Sequence, residues 1–360
     1  PNIFKKIINQ NDPVLIRGVM MKRDRISILN SLKVGLGDHP KLMMQSSKKK
    51  EFSYHTSQKA WKLNYINGKN KKVGEDDDID DSNDNVEWSL SNVNNLNLND
   101  KGANDNNDTG NYIYSNYKFD IRQDSLLVSH LVPILLNIPR ILNSSPLLRL
   151  WVSSKGTIAL PHYDLEHNLF FQLSGEKTFT ISPPSSYPLY NPFPFLHPQW
   201  RQSQRRELIS ATAVKEASKK CINHDDNDEV NVPVWDIKLE SGDVLYLPAL
   251  YFHSVESGVE SSSLNAWLGS LEATVSRDLA TVSLPPMSTG NTSRPVIAAM
   301  VSLVVSTYSK SNENLKNVDD GNTTIATFAN HMIARYESTC NDIRSGTVSL
   351  SIDDNVSDSD

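Results

Sequence analysis

Cysteine is nearly absent from this chain: Cys221 and Cys340 are the two among 360 residues. They show no CxxC spacing and cannot form a disulfide framework, which fits a reducing compartment. Long apolar runs are missing as well. The best stretch, VIAAMVSLVV at 296–305, has ten residues, about half of the ~20 a membrane-spanning helix needs. No membrane partner is expected, and no signal-peptide pattern opens the sequence. The chain begins at Pro1, which leaves open whether further residues, a targeting segment among them, precede it. Positive charge is also in short supply. With 36 basic and 42 acidic residues the net charge is -6, so no global basic field advertises nucleic acid.

That acidic excess is local. Residues 67–111 hold 11 acids and 4 lysines, and without them 32 basic residues face 31 acidic ones, a charge of +1. The same segment is crowded with Asn, Asp and Ser. It cannot bury enough apolar surface to offset chain entropy, and it is expected to be a disordered insertion. The tail 346–360 is expected to be a disordered acidic end. Around them, residues 1–66 read as the N-terminal part of a domain, 112–275 as its core, and 276–345 as a helical region.

Within the core, NDPVLIRGV (11–19) predicts a buried strand behind an Asn-Asp-Pro turn. LLRLWVSS (147–154) and SSLNAWLG (262–269) are strand-like, and residues 160–184 read as two strands joined at SGEK. WDIKLESGDVLYLPALYFHSVES (235–257) contains a strand-turn-strand pattern ahead of His253. Beyond Pro295, 296–308 and 324–340 carry apolar residues at helical spacing. Many short strands followed by helices predict an antiparallel β core with a C-terminal helical segment.

The stretch LPHYDLEHNLFFQLSGEKTFTI (160–181) carries the chemistry. Residues two apart on a strand share a face, so His162 and Asp164 point the same way, and Asn168, Phe170 and Gln172 follow that parity. If Ser174-Gly175 is the turn, Gln172 pairs with Lys177, and Lys177, Phe179 and Ile181 face the same interior. A buried lysine without a partner is expensive, and a bound anion explains it better than packing does. The plain alternative is an exposed hairpin lysine, with Phe170, Phe179 and Trp267 as ordinary core. His162, Asp164 and His253 together supply two imidazoles and one carboxylate with coordination positions left open, the arrangement that suits non-heme Fe(II) oxygenases. Zinc held by His162, His167, His253 and Asp164 is the rival, but parity turns His167 outward.

HYD…N…K at 162, 164, 168 and 177, followed by LESGDVLYLPALYFHSV and LNAW, resembles the JmjC/cupin-8 family of Fe(II)- and 2-oxoglutarate-dependent oxygenases. The likeness covers about 11–66 and 112–270. It implies a mainly β, double-stranded β-helix (a jelly roll, or cupin) with additional helices. It further implies iron on His162, Asp164 and His253, and the distal carboxylate of 2-oxoglutarate on Lys177. Asn168 and Asn265 would line the pocket, and Tyr112 matches a family tyrosine. Oxygen would be the second cosubstrate. Where some relatives carry a hydroxyl residue three before the first histidine, this chain has Ala159.

Within the family the sequence is most similar to the small hydroxylase branch, which includes tRNA wybutosine hydroxylases and the asparaginyl hydroxylase called factor inhibiting HIF. That implies a cytoplasmic or nuclear hydroxylase acting on a wybutosine-type modified tRNA guanosine. The alternatives are a protein side-chain hydroxylase, a lysine demethylase, or a binding module that has lost its iron, which the intact triad opposes. The likeness also implies a homodimer through C-terminal helices, here with an apolar stripe of Val296, Met300, Leu303, Val304, Phe328, Met332 and Ile333. Six basic residues in 201–220 read as a solvated helix face or as phosphate contacts for RNA.

Overall fold

Short runs of Val, Ile, Leu, Phe and Tyr, punctuated by Gly and Pro, fold here as strands, because branched and aromatic side chains suit a pleated surface buried on one or both faces. The computed structural model describes residues 12–36, 42–47, 50–52, 62–65, 85–88, 112–119, 147–193, 199–220 and 232–270, and separate positions between 272 and 351. The strands are β1 (Val14–Ile16), β2 (Leu42–Ser47), β3 (Glu51–Phe52), β4 (Lys62–Tyr65), β5 (Asn85–Trp88), β6 (Tyr112–Phe119), β7 (Leu147–Ser153), β8 (Ile158–Tyr163), β9 (His167–Ser174), β10 (Lys177–Ser182), β11 (Trp235–Leu239), β12 (Val244–Leu247), β13 (Phe252–Ser257), β14 (Ser261–Leu268) and β15 (Val348–Ser351). The helices are α1 (Lys22–Leu36), α2 (Tyr187–Tyr190) and α3 (Ala211–Lys220).

The chain forms two compact units. The first comprises Pro1–Phe52, Asp81–Pro183 and Glu207–Ser270. It holds an eight-stranded sheet, β1-β12-β9-β14-β7-β6-β2-β5, and a five-stranded sheet, β11-β10-β13-β8-β3. Pairing is antiparallel except between β3 and β8. The sheets face each other: Lys177 on β10 reaches Ser263 on β14 and lies over the ring of Phe170 on β9. This is the antiparallel β core that the strand pattern predicts, and the mainly β jelly roll that the resemblance implies.

The eight-stranded sheet has an inverted polarity. Register pairs Trp151 with Ser263, Arg149 with Asn265, and Asn265 with Phe170. The inner face therefore carries Arg149, Trp151, Ser153, Asn168, Phe170, Gln172, Ser263, Asn265 and Trp267. The leucines sit on the other face, where Leu148, Leu150, Leu169, Leu173, Leu264 and Leu268 are all buried. On that side Arg25 of α1 donates to the carbonyl of Leu173 at 2.8 Å.

Several expectations change here. Residues 158–182 form three strands, not two, because the chain leaves β8 at Asp164 and resumes at His167. β9 and β10 do not pair with each other: β9 lies between β12 and β14, and β10 between β11 and β13. Gln172 is therefore opposite Ser263, and Lys177 opposite Leu239 and Ser257. The chain crosses between sheets at Gly175, whose φ is +68° and whose absent Cβ would lie 2.2 Å from the Glu260 carbonyl. Only glycine fits both constraints. Strand β1 is half-buried at the edge of its sheet, not fully buried. Asn85–Trp88, inside the expected disordered insertion, pairs with β2. The rest of 67–111 lies outside the described residues, as does LLVSHLVPILLNIPRIL (126–142), whose sequence reads as short helix and turn broken by Pro133 and Pro139.

The second unit comprises Ser53–Asp80, Pro184–Arg206 and Leu271–Asp360. Here β15, within the expected disordered tail, pairs with β4. Residues 294–299 and 301, and most described positions of 329–344, are helical. An ion pair joins Arg294 to Glu337 across these two runs. Met332 and Ile333, expected in an exposed stripe, are buried, together with Ile297, Val301, Tyr336 and Cys340. Val296 is exposed, while Met300, Leu303, Val304 and Phe328 lie outside the described residues. Among the described residues no helix is long and apolar enough to cross a membrane.

Candidate metal centre

β8 and β13 run antiparallel with His162 directly opposite His253. Their ring centroids are 4.2 Å apart. Asp164 follows at the end of β8, with a carboxylate oxygen 4.0 Å from His253 Nε2. One ligand atom from each of the three lies within 4.8 Å of the others, and all three side chains are buried. Among the described residues this is the one such group of three.

Both imidazoles are oriented by backbone. His162 Nδ1 lies 2.7 Å from the carbonyl of Leu160, and His253 Nδ1 lies 2.9 Å from that of Tyr251. A carbonyl can only accept, so Nδ1 carries the proton in each ring. Nε2 then presents its lone pair, the tautomer a metal ligand requires. Cis ligands about a metal at ~2.1 Å would stand ~3 Å apart, and the three ligand atoms here lie within 4.8 Å of one another. Three ligands on one face leave positions open, and two neutral rings with one carboxylate leave a divalent cation with net positive charge to attract an anion.

Lys177 is 2% exposed. Its Nζ donates to Ser263 Oγ at 3.1 Å and sits 5.3 Å from the centre of the Phe170 ring. Among the described residues no carboxylate pairs with it. Burial pushes its pKa down to about 7. Phe179, two residues along β10, meets Phe170 edge-on at 4.9 Å and stacks toward His253 at 6.3 Å. Because Ile181 lies opposite His253, four residues of strand, roughly 13 Å between Cα atoms, separate the lysine from the triad. The two ends of one interior thus carry a buried lysine and a group of three side chains that could hold a metal ion.

The sites expected from sequence fall as follows. Asn168 and Asn265 are buried on the inner face, and the Oδ1 atom of each has no protein partner, as does Gln172 Oε1. Tyr112 opens β6 opposite Ser47, and its side chain lies outside the described residues. His167 is directed away from the triad: its Nδ1 meets Tyr246 Oη at 3.2 Å and the Ala249 N–H at 3.1 Å. Burial lowers its pKa to about 4.

Sequence reasoning missed Arg149 and Trp151 on the inner face. Arg149 lies 4.6 Å from the centre of the Trp267 ring. The signal was present in LLRLWVSS, where polar or bulky residues alternate with leucines. The basic residues of 201–220 do not share one helix face. Lys215, Lys219 and Lys220 are exposed on α3, whereas Arg201, Arg205 and Arg206 belong to the second unit.

Comparison with known proteins agrees with this architecture. Residues 1–271 match the Cupin_8 family, described as a cupin-like domain. JmjC domain-containing protein E of Dictyostelium discoideum is 28% identical over 143 residues, 32% of this chain and 38% of that protein. The human tRNA wybutosine-synthesizing protein 5 is 30% identical over 121 residues, 32% of this chain and 28% of that protein. The human bifunctional peptidase and (3S)-lysyl hydroxylase JMJD7 is 26% identical over 128 residues, 32% of this chain and 40% of that protein. Each match thus spans less than half of the relative. A solved structure of Escherichia coli YcfD aligns with 75% of this chain and 52% of its own at 12% identity and a TM-score of 0.34, a likeness too slight to bear on function.

Proposed function

The chain belongs to the JmjC/cupin-8 family of cupin-like domains, and from that premise we propose that it is an Fe(II)- and 2-oxoglutarate-dependent hydroxylase. His162, Asp164 and His253 hold the iron. Bound there, iron and its cosubstrate supply the oxidative chemistry: 2-oxoglutarate and O2 become succinate and CO2 as a substrate C–H becomes C–OH. The observation that carries the reading is the pairing of that triad with a buried, carboxylate-free lysine in one interior.

The residues divide the work. Lys177 and Ser263 would hold the far carboxylate of 2-oxoglutarate. Phe170 and Phe179 wall the passage and exclude water, which strengthens the lysine–carboxylate contact. Asn168 and Asn265 offer their unmatched oxygens to donors on the ligand or on ordered water.

The substrate proposed is a modified tRNA guanosine of the wybutosine type, supported by the likeness to the human wybutosine-synthesizing protein 5. A protein side chain is the second reading, supported by the likeness to the lysyl hydroxylase JMJD7. Pairing of two chains through the C-terminal helical runs belongs to the same proposal, with Val296 exposed and Met332 and Ile333 buried. Succinate release from 2-oxoglutarate with added Fe(II) tests the reaction, and none with any RNA or peptide refutes it. Mass spectrometry of tRNA nucleosides after gene deletion separates the substrates: an unchanged nucleoside profile removes the tRNA reading. A monomer mass by light scattering at micromolar concentration removes the dimer.

A further inference from the structure

The turn between β12 and β13, Pro248–Tyr251, touches three elements with three consecutive residues. The Ala249 N–H donates to His167 Nδ1 at 3.1 Å. The Leu250 N–H donates to the carbonyl of Asp164 at 2.8 Å. The Tyr251 carbonyl accepts from His253 Nδ1 at 2.9 Å. Leu250 sits at φ +69°, a left-handed conformation uncommon for a side chain of its size. Such a conformation persists where the neighbours over-determine it. The turn thus holds two of the three metal-binding residues by their backbone or second ring nitrogen, and its far side is anchored to a histidine that points away from the metal.

We infer that His167 is a positioning residue for the metal centre: its Nδ1 lone pair fixes the Ala249 N–H and so sets the turn that orients Asp164 and His253. An N–H can only donate, so Nδ1 is unprotonated and the Tyr246 hydroxyl, 3.2 Å away, donates to it as well. The ring is neutral and half-buried. Its neighbour Asn168 faces the pocket while His167 faces the turn, so adjacent residues of one strand serve the ligand and the metal from opposite sides. The low pKa of His167 agrees with this arrangement, because a protonated ring would have no acceptor to offer.

The inference rests on the reading of His162, Asp164 and His253 as metal ligands, and the test separates the two. Co(II) is titrated into the purified 360-residue chain while visible absorption is followed. Wild type binds the ion and His162→Ala does not; if wild type fails to bind, the metal reading falls and the inference with it. His167→Leu, which lacks an acceptor, is expected to bind about 10- to 100-fold more weakly with a shifted ligand-field spectrum. His167→Asn sets its amide oxygen near the former Nδ1 and is expected to restore both affinity and spectrum. Should the leucine variant fail to fold, His167→Gln takes its place; its amide falls about where Nε2 lay, and it is expected to behave as leucine does. Wild-type affinity and spectrum in a folded Leu or Gln variant would overturn the role of His167. So would an Asn variant as weak as the Leu one.

Discussion

Replacing Lys177 with methionine should move two properties in opposite directions. Methionine keeps the apolar stem against Phe170 and removes a cation that is 2% exposed and has Ser263 as its hydrogen-bond partner. In the ligand-free protein this relieves a buried charge, so the melting temperature should rise. In the complex it removes a charge-assisted contact worth roughly 1.5–3 kcal/mol, so the dissociation constant for 2-oxoglutarate should increase about 10- to 100-fold. The pH dependence gives a second handle. The folded pKa is about 7 against an ordinary 10.5. Across that interval the unfolded chain retains a proton that the folded chain has released, so stability climbs with pH. Below about pH 7 both states are protonated and the full penalty of the buried ammonium remains. The methionine variant should lose that slope, and a bound dicarboxylate should flatten it in wild type by giving the ammonium a partner. Calorimetry of 2-oxoglutarate binding and melting curves between pH 6 and 10 check both. An unchanged 2-oxoglutarate affinity would place the cosubstrate's carboxylate elsewhere.

Three other outcomes are expected. His162→Ala or Asp164→Ala should abolish succinate formation while the melting curve stays close to wild type, since either change removes a polar side chain and leaves the leucine layer of β7, β9 and β14 untouched; full turnover in either variant removes the iron assignment. Gly175→Ala should destabilise the protein by more than about 2 kcal/mol, because a Cβ would lie 2.2 Å from a backbone oxygen at φ +68°; a melting temperature equal to wild type contradicts that close approach. Deleting 67–111 behind a short Gly-Ser linker removes the end strand β5 and should leave folding and Co(II) binding intact, whereas collapse of soluble expression would mean the segment is needed by the barrel.

The sequence disclosed the triad because its chemistry is local: His162 and Asp164 are two apart, and His253 follows a strand-turn-strand pattern. Lys177 was also correctly read as interior, but by the wrong route. Period-two alternation says which residues share a face and nothing about which strand lies beside which. Gln172 and Lys177 therefore looked like hairpin partners, although Gly175 passes the chain from one sheet to the other. The same blindness hid Arg149 and Trp151. In LLRLWVSS the leucines mark a buried face, and it takes the second sheet to reveal that the opposite face is enclosed too. Compositional reasoning about 67–111 likewise could not see that Asn85–Trp88 has β2 to pair with, since pairing depends on a partner and not on the segment alone.

The inverted polarity of β7, β9 and β14 bears on how such a barrel changes its occupation over time. Leucines that hold the strands in place and side chains that line the interior alternate along the same segments without sharing a face. A substitution at Arg149, Asn265 or Trp267 alters what fits the interior and leaves the apolar layer behind it whole. Selection can therefore try new ligands at little risk to folding, and one scaffold can diversify by editing every second residue.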